Sequence, residues 1–222
     1  MDASMVVGHG RMSMEAPAMS FGSEFFGKVD LKNTTRNDRL VELADVLVAN
    51  PQGTFPKKFH DPAQLKAFYR LMNKSTVTHA AVLAPAVART HELMAAASGT
   101  VLVVHDWTEL DYTGHTSMKD LLGQIGNGSR RGYVCANALA IVAETREVLG
   151  LAAQILFHRP DVGKGESRDV RRDRITRESR LWRLASEQIS APGQDRRWAF
   201  FPRWLLSATP CIVFRIIAFF SG

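Results

Sequence analysis

Asp106 stands two positions beyond Val101-Leu102-Val103-Val104, a short apolar run rich in β-branched residues, which is the mark of a fully buried strand. A carboxylate at the end of such a strand is placed to hold a hard divalent cation. Two Mg²⁺ ions about 3.5–4 Å apart can activate the attacking oxygen and stabilise the leaving oxygen of an in-line displacement at phosphorus. That arrangement needs at least two, and usually three, converging acids, and Asp106 supplies one. The same residue type also caps turns, a purely structural use. His105 beside it has the chemistry of a ligand or base, but a lone His next to a buried strand is more often a satisfied structural residue, and no catalytic role is assigned to it. Glu109 and Asp111 read as a solvated strand edge, with Asp111 near enough to assist.

The second group of candidate residues is cationic. Arg36, Arg39, Lys57, Lys58, Lys66 and Arg70 lie in a stretch with helical periodicity and are the candidate contacts to a polyanion, which the family resemblance described below implies to be DNA. The chain carries 28 Lys and Arg against 22 Asp and Glu, a net charge of +6, which suits a polyanionic partner. A further Arg-rich stretch, Arg168, Arg171, Arg172, Arg174 and Arg177, is interspersed with acids and reads equally as a backbone-tracking segment or a solvated loop.

The elements that must position these groups follow from period and punctuation. Leu40, Leu43, Ala44, Leu47 and Val48 recur at helical spacing over Arg36–Asn50, closed by Asn50-Pro51 and Gly53. Asp61-Pro62-Ala63-Gln64 opens another helix, with Asp61 as cap and Pro62 in the first turn. Leu65, Phe68 and Met72 are expected to face inward, Lys66 and Arg70 form a basic pair one turn apart, and Tyr69 is assigned to the core rather than to stacking. A third helix spans about Thr78–Ala97, kinked at Pro85.

The period then changes. After the Val101–Val104 strand comes a Gly-rich connection, then strands over Tyr133–Ala143 and Val148–Phe157 joined through a turn at Glu144–Glu147. A helix over Thr176–Ile189 is expected to bury Leu181, Leu184, Ala185 and Gln188. A three-stranded meander followed by a helix is the start of an RNase H-like domain. The fold class is therefore mixed α/β: an all-helical part, then an incomplete RNase H-like part.

Bulk properties exclude several alternatives. Cys135 and Cys211 show neither CxxC nor zinc spacing, which fits a reducing cytoplasm. No secretory signal is present at the N-terminus. Trp204–Phe220 is apolar but short for a membrane span and interrupted by Pro210 and Arg215, so no membrane role is assigned.

Several ordered motifs add a family resemblance. The segment from His105 through Asp106-Trp107-Thr108 to His115 resembles the first catalytic motif of the insertion-sequence-four DDE transposases, the group that includes the transposon-five transposase. The typical motif there is Asp-Thr-Thr, and Trp107 replaces its first Thr. Phe25–Leu31, Arg36–Leu40, Asn50-Pro51 and Ala67–Asn73 resemble the opening pattern of that family, with Leu31-Lys32-Asn33 departing from its Leu-Gly-Asp. Gly132–Asn137, with Asn137 where the family often has His, His158-Arg159-Pro160 and Arg177–Trp182 continue the likeness, which covers about Phe21–Ile189.

The resemblance implies a transposase that binds double-stranded transposon-end DNA and cuts and joins strands with Mg²⁺. It implies Asp106 as catalytic and metal-binding residue, a homodimer in the full-length family, and a cytoplasmic, nucleoid-associated location. The implied division is a loose leader over 1–20, a DNA-end-binding domain over 21–75, a connecting helix over 76–98, a partial catalytic domain over 99–203 and an apolar tail over 204–222. The family's second Asp ends a later strand. Asp195-Arg196 precedes the apolar run instead, so it reads as coincidence, and the third acid and the dimer-forming region are not found. The expectation is a truncated remnant, its tail from Trp204 out of frame, that keeps DNA binding without a full catalytic triad. The alternative is a non-enzymatic DNA-binding regulator, tethered to a membrane through that tail.

Overall fold

A computed structural model describes residues 19–127, 129–161, 165, 167, 169–170, 179–189 and 197–202. The expected leader up to residue 18, the tail from Trp204, the Arg168–Arg177 cations and Asp195-Arg196 lie outside the described residues.

Five helices come first: α1 (Phe21–Phe26), α2 (Thr34–Ala49), α3 (Phe55–Lys58), α4 (Pro62–Met72) and α5 (His79–Ala96). Four start on side-chain caps that occupy backbone N–H groups with no partner inside the helix. Ser20, Asn33, Asp61 and Thr78 accept from the N–H of Ser23, Arg36, Ala63 and Ala81 respectively. The Asp61-Pro62 signal therefore starts a helix as read. Pro85 lies within α5, which continues from His79 to Ala96. α1 crosses α2 closely: Gly22 N–H donates to Asp45 Oδ1 at 2.7 Å, and a Cβ at Gly22 would lie 2.2 Å from Val41 O.

Phe26, Leu31, Leu40, Leu43, Phe68 and Leu71 are buried together in the helical core, with Ala86 of α5 joining them. The other end of α5 enters a second core: Met94 is fully buried beside Val101, Val103, Ala140 and Ala153. α5 thus belongs to both cores. It lies against the sheet at Gly150, where the backbone is left-handed (φ 136°) and an added Cβ would come within 2.4 Å of Thr90 Oγ1. Only glycine fits that conformation and spacing.

The sheet contains β1 (Thr100–Asp111), β2 (Gly123–Ile125), β3 (Arg130–Val142), β4 (Val148–Phe157) and β5 (Arg197–Pro202), with α6 (Ser179–Glu187) between β4 and β5. β3 pairs antiparallel with β1 along one edge and with β4 and the short β2 along the other. β5 lies parallel to β1 on its far side. Val101–Val104 is therefore a central strand, as expected. The strand does not end there: the register with β3 runs unbroken from Val101↔Val142 to Asp111↔Gly132. Asp106 sits inside a long strand, not past the end of a short one. The turn at Glu144–Glu147 stands as read, with Arg146 in the left-handed region (φ 62°).

Several inward assignments are corrected. Val48, Met72, Leu184 and Gln188 are exposed. In α4, Leu65, Phe68 and Leu71 provide the inward row, and Met72 lies about 100° further round the helix, on the solvent side. In α6, Leu181, Ala185 and Ile189 fill the inward row and turn Leu184 out.

Candidate nucleic-acid interface and the Asp106 row

Lys66 and Arg70 are both exposed on α4. Tyr69, assigned to the core from sequence, is 47% exposed. Lys66, Tyr69, Arg70 and Asn73 follow the spacing i, i+3, i+4, i+7, which places them on one helix face. The signal was present in the sequence, but Tyr69 is adjacent to Phe68 and only one of two such neighbours can point inward. Phe68 does so, flanked by Phe55 and Phe59 at ring-centroid distances of 4.8 and 5.4 Å.

The other cations divide. Arg36 opens α2 half-buried, and its guanidinium donates to Thr76 Oγ1 at 3.0 Å. That bond brings the first turn of α2 beside the segment following α4, so Arg36 holds the interface together. Arg39, one turn on, pairs with Glu42 at 2.9 Å in solvent. Lys57 is exposed, whereas Lys58 is only 5% exposed, with Nζ 5.6 Å above the Phe55 ring. Lys57, Lys66, Arg70 and Arg39 thus form the outward basic set, with Arg36 behind it and Lys58 drawn into the packing.

In the sheet, direct cross-strand neighbours share a face. Asp106 lies opposite Asn137, and Asn137 opposite Gln154. Gln154 Nε2 donates to Asn137 Oδ1 at 2.6 Å, and His79 Nε2, at the start of α5, donates to Gln154 Oε1 at 2.8 Å. Asp106 and Asn137 are buried, at 6% and 3% exposure, and Asn137 Nδ2 has no hydrogen-bond partner among the described residues. The Cys135 S–H donates to the same Asn137 oxygen, and burial pushes this thiol up to about 11.

His105 points to the opposite face, against α6. Its ring lies 6.0 Å from Trp182, and its Nε2 is 3.4 Å from Ser186 Oγ. The Ser186 hydroxyl donates to Trp182 O at 2.8 Å, which leaves its oxygen as an acceptor facing the imidazole. Burial lowers the His105 pKa and favours the neutral ring. Glu109 and Asp111 both pair with Arg130, at 3.4 and 3.2 Å, at the outer end of β1. The Arg130 bond and the Thr113 hydrogen bonds, of which the latter are larger, hold Asp111 below the usual carboxylate range.

Magnesium, implied by the resemblance, needs a set of oxygen ligands dominated by carboxylates. In its row Asp106 has amides as neighbours, and among the described residues no three His, Cys, Asp or Glu side chains come together to hold a metal ion. β5 stops pairing at His105↔Pro202, one residue short of Asp106. Asp195 precedes the other end of β5, which starts opposite Thr100. The described donor set does not fit a two-cation centre.

Residues 18–77 match the family model for transposase DNA-binding. This match covers α1 to α4 and supports a transposase N-terminal region with DNA as its partner. No curated protein matches the chain. No helix among the described residues is long and apolar enough to cross a membrane.

Proposed function

We propose that this chain binds double-stranded DNA at transposon ends through the outer face of α4 and the first turn of α2, and that its sheet is an RNase H-like scaffold of the insertion-sequence-four transposase type. The observation that carries the DNA reading is the match over residues 18–77 together with Lys66, Tyr69, Arg70 and Asn73 on one face of the helix inside it. Arg70 and Asn73 have the donor and acceptor groups that read base edges, while Lys57 and Lys66 supply phosphate contacts.

The sheet order supports the RNase H-like reading: an antiparallel meander, a helix, then a fifth strand parallel to the first. Asp106 lies on the central strand beside the end of that fifth strand, where an acid of a phosphoryl-transfer centre belongs. With one carboxylate in the row, the reading is end binding without strand cleavage by this chain alone, which would let it compete with an intact enzyme for ends.

The test is a gel-shift titration on terminal inverted-repeat duplexes, paired with a Mg²⁺-dependent nicking assay. Retarded complexes without nicked product are expected. Nicking that Asp106→Ala abolishes would show that further carboxylates assemble around Asp106, and no preference for terminal over unrelated duplex would remove the end-binding reading.

A further inference from the structure

Along the face that carries Asp106, the sheet changes character. Asp106, Thr108 and Leu110 alternate onto one side of β1, and the register sets Asn137, Cys135 and Tyr133 opposite them on β3. Leu156 of β4, opposite Cys135, is an exposed large apolar side chain on the same side. Beyond it four rings form a chain. His115 meets Tyr112 with ring centroids 5.6 Å apart, Tyr112 meets Tyr133 at 6.3 Å, and Tyr133 meets His158 at 6.3 Å. The interplanar angles are 67°, 75° and 60°, so neighbouring rings meet edge to face. The two imidazoles are exposed and the two phenols half-buried.

We infer that this aromatic row is a stacking site for unpaired bases of single-stranded DNA, separate from the duplex-binding helices; the inference rests on DNA being the partner of this chain. Tyrosine and histidine faces take bases of any sequence, which is how single strands are held without base-edge readout. The Tyr133 row lies four residues from the Asp106 row, about 14 Å at roughly 3.4 Å per residue along a strand. That is about four stacked nucleotide steps of roughly 3.4 Å each. A strand freed from a duplex end and running over this face would put its bases on Tyr112, Tyr133 and His158 and its backbone toward Asp106.

The neighbouring cations indicate where the binding energy comes from. Arg131, two residues before Tyr133 on the same side of β3, is engaged by Asp161, whereas Arg130 with Glu109 and Asp111 stands on the other side of the sheet. With the arginine of this side already paired, phosphate attraction is weak and stacking carries the affinity, so binding at this site depends less on salt than duplex binding does. Tyr133 also has a structural role, since its Oη donates to Leu121 O at 3.0 Å and ties that segment to the sheet.

The two roles are separated by fluorescence anisotropy on the full chain, with an oligothymidylate of about 12 nucleotides and a blunt duplex as probes. Tyr112→Ala and Tyr133→Ala should each weaken oligothymidylate binding roughly tenfold and leave the duplex affinity unchanged. Tyr133→Phe keeps the ring, loses the bond to Leu121, and should bind as the parent does. An oligothymidylate carrying 5-iodouracil should photocrosslink to peptides containing Tyr112 or Tyr133. Melting curves check that each variant is folded, and Tyr112→Ala, just past the end of β1, decides the matter if Tyr133→Ala is not. Duplex binding without oligothymidylate binding overturns the stacking site alone. A Tyr133→Phe loss equal to that of Tyr133→Ala also overturns it, and failure to bind either probe removes the DNA reading with it.

Discussion

On α4, Lys66, Tyr69 and Arg70 stand in solvent above a core made by Phe68 and Leu71, whereas on the sheet His105, Asp106 and Asn137 are buried along with the core. The two regions therefore keep their chemistry on opposite sides of the packing. An exposed cation can be removed with little cost to folding, and its loss is read in binding. A buried polar group answers to its partners first. Removing Asn137 would strand the Gln154 amide that donates to it, and an unsatisfied buried polar group costs about 1–3 kcal/mol. On the α4 face binding and stability can be probed separately, and in the Asp106–Asn137–Gln154 row they cannot.

The seam between the regions is where this contrast can be broken most forcefully. Gly150→Val places a β-branched side chain at φ 136° against Thr90 Oγ1 and should destabilise the protein by about 2–5 kcal/mol in urea denaturation. Thr90→Ala in the same chain should recover part of the steric loss, a coupling that a double-mutant cycle measures. Additive effects would mean that α5 does not bear on β4 at this point. On the helical side, Arg70→Ala should weaken binding to end DNA by about 1–3 kcal/mol while leaving the melting temperature unchanged. A drop of several degrees with unaltered affinity would place Arg70 in the packing and erase the distinction.

Much of this arrangement can be traced to local sequence. The 3–4 spacing of Leu40, Leu43 and Ala44 and the Asp61-Pro62 cap specify α2 and α4 without help from the rest of the chain. β1, β3 and β4 announce themselves by composition. What was not legible depends on partners distant in sequence. β1 runs on to Asp111 because β3 continues to Arg130 and pairs with it, and β2 exists only as three residues laid against the same end of β3. α1 and α3 are six and four residues long, too short for a period, and tertiary contacts such as Gly22 to Asp45 position them. The Asp106–Asn137–Gln154 row spans three strands and could not be read before the register was known. Phe68-Tyr69 shows the opposite limit: adjacent aromatics on a helix cannot both be core, and sequence does not say which one turns outward.

The cap offers a smaller test of whether α4 presents its face as a unit. Asp61→Ala removes the acceptor for Ala63 N–H and should cost about 1 kcal/mol in stability. If the α4 face reads DNA, the fraying should weaken end binding slightly, although Asp61 is itself an acid whose loss would favour DNA on charge alone. A gain in affinity would show that the charge outweighs the order of the helix.

The finest test uses two adjacent lysines with opposite placement. Lys57 is exposed, and Lys58 packs its stem inward with Nζ over Phe55. Lys57→Ala should leave stability unchanged and reduce the slope of log affinity against log salt by about 0.9, the loss of one phosphate contact. Lys58→Ala should leave the slope nearly unchanged and cost about 1 kcal/mol of stability, through lost packing and the lost cation–π contact. The two residues share charge, length and chain position, so only the side of the core each one faces can separate their effects. Equal slopes for both variants would mean that Lys58 swings out to meet phosphate when DNA binds.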